Sequence, residues 1–123
     1  MNEQDAHLNM INILKQEFPE YRIGYSDHTD GIFVPVIAAA MGAEVIEKHF
    51  TLDRQTPIRK YVQKKEYMGT DHVLSVEPND LKKMVELIRR AENCQGSLEW
   101  KRSEGEMILR NFLRGRYTER EKE

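Results

Sequence analysis

Two histidines, His28 and His49, stand directly after two short β-prone segments, and their placement suggests a shared function. The polar stretch Ser26–Thr29 follows the first segment, and Lys48–Thr51 closes the second. If the two strands are parallel neighbours about 4.8 Å apart, both imidazoles reach the same edge of the sheet and can share a metal ion. Imidazole suits zinc, manganese or iron better than calcium. A histidine at a strand end is more often a hydrogen-bonded structural residue, so the spacing alone leaves both interpretations open.

The hydrophobic pattern predicts the elements that must position these histidines. Apolar residues recurring every three or four positions indicate helices, and short runs rich in Tyr, Ile and Val indicate strands. The predicted elements are helices at 6–18, 32–42 and 78–93 and strands at 21–26 and 44–50. Residues 51–75 are expected to form a long irregular segment. Helices that alternate with strands are typical of right-handed βαβ units, in which ligands bind at the carboxyl ends of parallel strands.

The composition argues against several classes of protein. Among 123 residues, 19 Lys and Arg oppose 21 Asp and Glu, so no basic field is available to bind nucleic acid. The longest apolar stretch, Ile32–Ala43, is shorter than the roughly 20 residues that span a bilayer, and no signal peptide is visible. We therefore expect no membrane partner. The single cysteine, Cys94, makes no intrachain disulfide, which favours a cytoplasmic location.

Three strings in this sequence resemble the sialic acid synthase family, which includes N-acetylneuraminate, legionaminate and pseudaminate synthases and a spore-coat polysaccharide enzyme. They are GYSDHT at Gly24–Thr29, AAAMGA at Ala38–Ala43 and VIEKHFTLD at Val45–Asp53, and the pair Asp71-His72 continues the match. The resemblance runs from about Leu8 to Gly96. It implies an α/β fold: the βαβα portion formed by the last two units of a (β/α)8 TIM barrel, with parallel strands, plus the preceding helix.

The same resemblance implies a reaction and a set of site residues. The family condenses phosphoenolpyruvate with an N-acyl sugar such as N-acetylmannosamine, which releases phosphate and gives a nine-carbon 2-keto sugar acid. Its catalytic metal histidines fall on His28 and His49, its phosphoenolpyruvate-contacting serine on Ser26, and its sugar-binding aspartate on Asp71. The implied cofactor is a divalent metal ion, with Mn2+ first and Mg2+ or Co2+ as alternatives. Such an ion would polarise the sugar aldehyde as a Lewis acid.

Departures from the family pattern keep several hypotheses open. The usual Gly-Pro-Asp-His string reads GTDH at Gly69–His72, and the segment before it is longer than usual, which puts the sugar in doubt. The match makes residues 1–96 a partial barrel domain and leaves 97–123 as a charged helical tail or linker. The family's earlier strands, with their phosphate-binding lysines and catalytic glutamate, have no counterpart here. Catalysis by this chain alone is therefore not expected.

Three hypotheses follow for the function. The chain is part of a synthase that is active only with the rest of the barrel, or a catalytically inactive remnant that keeps a divalent-metal site, or a structural fragment. Besides the two substrates, the predicted partners are further copies of the chain or the rest of the barrel. Of the residues beside the histidines, we expect Lys48 to be solvated or salt-bridged rather than to face a phosphate. Asp27 is expected either to cap a helix or to accept a hydrogen bond from a ligating histidine.

Overall fold

The chain folds into five helices and four strands within the residues that the computed structural model describes, which are 1–55, 59–62, 65–68 and 70–120, with side chains described over 1–55 and 71–116. In chain order these are α1 (Asn9–Glu17), β1 (Gly24–Asp27), α2 (Phe33–Ala40), β2 (Val45–Lys48), β3 (Arg59–Val62), β4 (Lys65–Met68), α3 (Thr70–Val73), α4 (Pro78–Gln95) and α5 (Glu104–Arg120). No helix in this part of the chain is long and apolar enough to cross a membrane.

Strands β1 and β2 are parallel neighbours, which confirms the predicted α/β arrangement. Their register pairs Gly24 with Val45 and, at the other end, Asp27 with Lys48. A Cβ added at Gly24 would lie 3.2 Å from the Cβ of Val45, so glycine allows the two strands to approach closely here. The shared direction of the strands brings both of their carboxyl ends to one edge of the sheet.

A third segment joins this sheet beyond the end of β2. The Val76 N–H donates to the His49 carbonyl at 2.8 Å, and the Val76 carbonyl accepts from the Thr51 N–H at 3.0 Å. These bonds form a parallel bridge between Phe50 and Val76. The segment that follows α3 is thereby fixed beside the carboxyl end of β2.

The hydrophobic core lies between the helices and one face of β1 and β2. It centres on Ile11 of α1, Ile23 and the fully buried Ala38 of α2. The partly buried side chains packed around this centre are those of Leu8, Leu14, Tyr25, Met41, Ala43 and Ile46. Because side chains alternate along a strand, Ser26 and Glu47 lie on the opposite, exposed face. In a TIM barrel the helices cover the outer face of the sheet, and this opposite face lines the interior.

Helix ends follow local backbone chemistry. The predicted first helix begins later than expected, at Asn9, because His7 takes a left-handed conformation with φ of 44° after a 3-10 turn at Glu3–Ala6. Helix α2 carries Pro35 in its first turn, where a missing N–H is tolerated. It ends before Gly42, whose φ of 99° suits glycine. The Nζ of Lys15 in α1 donates to the Gly42 carbonyl at 3.0 Å and ties the two helices together.

The structure corrects the prediction for residues 51–75. Strands β3 and β4 form an antiparallel hairpin in which Lys60 lies opposite Tyr67 and Tyr61 opposite Glu66, and α3 follows. Charged residues make up half of each strand and obscure the strand preference of Tyr and Val. A partner strand close in sequence is nevertheless enough to satisfy the backbone N–H and carbonyl groups.

The remaining two helices differ in how they are covered. Helix α4 begins at Pro78 as predicted, packs against α2 and buries Met84. Helix α5 forms in the charged tail, and the large apolar side chains Ile108 and Phe112 are exposed. The division of the chain into a barrel portion and a tail remains a prediction.

Candidate metal centre

The carboxyl edge of the parallel pair carries a small polar cavity. It encloses about 120 Å³ and is lined by Ser26, Asp27, His28, Glu47, Lys48 and His49. Ser26 and Glu47 are register partners on the exposed face of the sheet. His28 lies two residues after Ser26, and His49 lies two residues after Glu47. Because side chains alternate between the two faces of a strand, all four side chains point to the same side of the sheet. The two polar clusters identified in the sequence therefore form one site.

The two imidazoles lie against each other. Their ring centroids are 5.0 Å apart, and the ring planes meet at 67°. The Ser26 hydroxyl lies 3.4 Å from Nε2 of His28, within reach of a hydrogen bond. The structure thus brings three of the four predicted site residues into direct proximity.

Asp71, the fourth predicted residue, joins the histidines instead of standing apart from them. One ligand atom from each of His28, His49 and Asp71 lies within 4.8 Å of the other two. Asp71 reaches this position from α3, where its backbone carbonyl accepts a hydrogen bond from the Ser75 hydroxyl at 2.9 Å. The adjoining Val76 is bonded to the His49 backbone, so the segment that carries Asp71 is fixed to β2.

This donor set fits a divalent metal ion. An ion held about 2.1 Å from each donor keeps neighbouring donors roughly 3 to 3.5 Å apart, so small side-chain rotations would close the arrangement. Two imidazole nitrogens and one carboxylate oxygen suit Mn2+, Zn2+ or Fe2+. Three protein ligands on one side would leave further coordination positions for a substrate or water. The chemistry of the donors therefore agrees with the predicted cofactor class, whereas the choice of metal stays a prediction.

A buried ionic network lies behind the cavity, on the helix-facing side of the sheet. Lys48 donates from Nζ to Oδ2 of Asp27 at 2.6 Å and also to the Thr29 carbonyl. The Thr29 hydroxyl donates to both carboxylate oxygens of Asp27, at 2.9 and 3.0 Å. Lys48 is thus salt-bridged, as expected from the sequence. The Asp27 carboxylate neither caps a helix nor bonds a histidine in the structure, because this network occupies it.

Tyr25 completes the network from the core side. Its hydroxyl donates to Oδ1 of Asp27 at 3.1 Å. Burial, reinforced by the nearby Asp27 carboxylate, raises the pKa of Tyr25 to about 12. Both effects disfavour the tyrosinate, because it would be poorly solvated and would lie beside a second negative charge.

Glu47 is a lining residue that the sequence analysis did not identify. It lies two residues before His49 on the same face and pairs in register with Ser26. The period-two alternation counted back from His49 would have found it. Its carboxylate adds a hydrogen-bond acceptor to the cavity.

Comparison with known proteins agrees with the fold and the site. The NeuB family model matches residues 1–99, so the chain belongs to the NeuB family and the predicted family resemblance is confirmed. It is 43% identical over 111 residues to the N,N'-diacetyllegionaminic acid synthase of Legionella pneumophila, covering 90% of this chain and 28% of that protein. It is 38% identical to the mouse N-acetylneuraminate-9-phosphate synthase, over 79% of this chain and 24% of that one. The chain thus spans about a quarter of the length of these relatives.

Solved structures show the same architecture. The N-acetylneuraminic acid synthetase of Leptospira borgpetersenii, crystallised with citrate, superposes with a TM-score of 0.73 at 38% identity, over 91% of this chain and 35% of that one. The spore coat polysaccharide biosynthesis protein SpsE of Bacillus subtilis superposes with a TM-score of 0.63 at 34% identity, over 85% of this chain and 26% of that one. The βαβα arrangement is accordingly a portion of a TIM barrel, as predicted.

Proposed function

We propose that this chain forms the metal-binding corner of the active site of a sialic-acid-type synthase. In the proposed reaction a carbon of phosphoenolpyruvate bonds to the aldehyde carbon of an N-acyl sugar such as N-acetylmannosamine, and one water is consumed as phosphate leaves, which gives a nine-carbon 2-keto sugar acid. The observation that carries the proposal is the convergence of His28, His49 and Asp71 at the carboxyl edge of parallel strands. The relatives named as legionaminic acid and neuraminate-9-phosphate synthases support the reaction class.

Each side chain of the site has a proposed task. His28, His49 and Asp71 would hold a divalent ion, Mn2+ first, and an ion bound there would supply Lewis-acid polarisation of a carbonyl oxygen. The Ser26 hydroxyl would donate a hydrogen bond to a phosphoenolpyruvate oxygen. Asp71 carries a second candidate role, because its carboxylate can also accept hydrogen bonds from sugar hydroxyls. The Glu47 carboxylate, on the same face, can accept further hydroxyl protons.

The described part of the site lacks a positive charge for the phosphate. The lysine among the lining residues, Lys48, is already paired with Asp27. Stabilising the phosphate and carboxylate of phosphoenolpyruvate requires positioned positive charges. We therefore propose that the chain acts together with the rest of the barrel or with further copies of itself, and that it works in the cytoplasm.

A chimera tests the proposal. Residues 1–96 of this chain replace the corresponding segment of the Legionella pneumophila relative, and phosphate release from phosphoenolpyruvate is measured with Mn2+ and a panel of N-acyl sugars. We expect turnover, and we expect His49→Ala to abolish it. His7→Asn is the matched control, because His7 lies outside the cavity. A folded chimera whose activity is unaffected by His49→Ala would refute the assigned role of the site.

A second candidate function is a divalent-metal-binding element without turnover. The exposure of the sheet face that lines a barrel interior favours it, since Val45 on that face is 52% exposed. In that case the chain binds Mn2+ with normal dependence on His28 and His49, while the chimera stays inactive with every sugar. Mn2+ binding by the chain and turnover by the chimera, measured together, therefore distinguish the two functions.

A further inference from the structure

We propose that the buried ion pair between Asp27 and Lys48 positions His28 and His49, setting the separation and orientation of the two imidazoles. The inference deepens the proposed function, because it names how the same chain holds the candidate metal centre in shape. Asp27 and Lys48 are direct register partners across β1 and β2. Each of them is followed immediately by one of the two histidines.

The two faces of the sheet make this coupling geometrically direct. Asp27 and Lys48 point to the helix side, and the next residue of each strand points to the cavity side. A contact that fixes the Cα positions at one register level therefore also fixes the backbone from which the two imidazoles project. The ion pair joins the last register level of the two strands, directly before the site.

The network is buried and internally satisfied. The side chains of Lys48 and Asp27 are 2% and 0% exposed. Asp27 accepts hydrogen bonds from Lys48, the Thr29 hydroxyl and the Tyr25 hydroxyl, and Lys48 also donates to the Thr29 carbonyl. Because Thr29 directly follows His28, these bonds hold the β1–α2 turn on both sides of that histidine.

Stability alone is a poor explanation for such a pair. The desolvation of two charges offsets most of their attraction, and replacing a buried pair by neutral side chains of similar volume is often neutral or stabilising. A positioning role is different, because it depends on the relative placement of the two strand ends rather than on the net contribution of the ion pair to the free energy of unfolding. The two roles can thus be separated by experiment.

The same two strands offer a matched control. Arg22 and Glu44 form an ion pair at 3.1 Å next to the opposite ends of β1 and β2, and both side chains are exposed. The variant Arg22→Gln/Glu44→Gln removes this pair, so it tests whether any cross-strand ion pair has the same effect. The test variant is Asp27→Asn/Lys48→Met, which removes both charges at similar volume.

Two measurements on the full 123-residue chain decide the matter. The first is the NOE between ring protons of His28 and His49 without metal, which their 5.0 Å centroid distance predicts in the wild type. The second is Mn2+ affinity, followed by the EPR signal of free Mn2+. In the test variant we expect loss of the ring NOE and about tenfold or greater weakening of Mn2+ binding. Circular dichroism should show retained helix content and a similar unfolding midpoint, and the control should resemble the wild type.

Clear outcomes would overturn the inference. A folded test variant with an unchanged ring NOE and unchanged Mn2+ affinity would do so, as would an equal loss in the Arg22→Gln/Glu44→Gln control. If the test variant fails to fold, the variant Thr29→Val replaces it in both measurements. This substitution removes only the hydroxyl that bonds both Asp27 oxygens. We expect it to weaken the ring NOE and to lower the Mn2+ affinity, and no change in either would overturn the inference. A wild type that binds no Mn2+ would refute the proposed metal function. The positioning of the two imidazoles would then be tested by the ring NOE alone, and its persistence in the folded test variant would overturn the inference.

Discussion

At the scale of single residues, the function proposed here depends on donors brought together from three separate segments. His28 follows β1, His49 follows β2, and Asp71 lies in α3, yet their ligand atoms fall within 4.8 Å of one another. Because the three donors come from different segments, replacing one of them should leave the other two in position. The contribution of each donor to metal affinity can therefore be measured separately.

The first prediction concerns these donors. His28→Ala, His49→Ala and Asp71→Ala should each weaken Mn2+ binding by about tenfold or more, whereas His7→Asn should leave it unchanged. Affinity should also fall on acidification, because an imidazole binds a metal only in its neutral form. Titration of Mn2+ followed by EPR measures both effects. Equal Mn2+ affinity in the wild type and all three alanine variants would show that these residues do not form a metal site.

The second prediction concerns Tyr25, whose pKa is raised to about 12 by burial and by Asp27. A pKa above the unfolded value of about 10 means that the native state holds the proton more tightly. The stability from this group is complete below pH 10 and is lost as the pH rises toward 12. We therefore expect the free energy of unfolding of the wild type to fall more steeply over this window than that of Tyr25→Phe. Urea denaturation at several alkaline pH values tests this, and parallel curves would contradict it.

At the scale of secondary-structure elements, α4 contributes by covering α2. Met84 is the buried residue of α4, at 4% exposure, whereas its neighbour Val85 is 45% exposed. Met84→Ala should lower the free energy of unfolding by about 2–5 kcal/mol, because it removes buried methylenes and leaves a cavity. Val85→Ala, the matched control, should change it by less than about 0.5 kcal/mol. Chemical denaturation measures the difference, and similar values for the two variants would show that α4 is not held by this face.

At the scale of the whole molecule, the exposed sheet face and strand edges predict association. The parallel sheet of β1 and β2 has fewer strands than independent stability normally requires. Apolar side chains such as Val45, Phe50 and Leu52 remain exposed near it. We expect sedimentation at micromolar concentration to show self-associated chains. A compact monomer that unfolds cooperatively would contradict this prediction.

The same incompleteness predicts the activity of the chain by itself. The chain alone should not convert phosphoenolpyruvate and N-acetylmannosamine to a sialic acid, even with Mn2+, because the described site offers no unpaired cation for the phosphate. Phosphate release by the purified chain is the measurement, with Asp71→Ala as the control for a genuine site. Release that disappears in Asp71→Ala would show that the chain holds more of the site than is proposed.

The sequence by itself determined helices α1, α2 and α4, the parallel order of β1 and β2, and the positions of His28 and His49 at their ends. These features depend on short-range periodicity and on the direction of the chain, which residue types report directly. Only the tertiary structure decided that Asp71 lies beside the histidines, because that approach depends on backbone bonds between Val76 and His49 across a long intervening segment. It also decided that Asp27 and Lys48 pair behind the site, since register is a property of two strands together. One strand's pattern identifies which face a residue occupies, but not which residue it will meet.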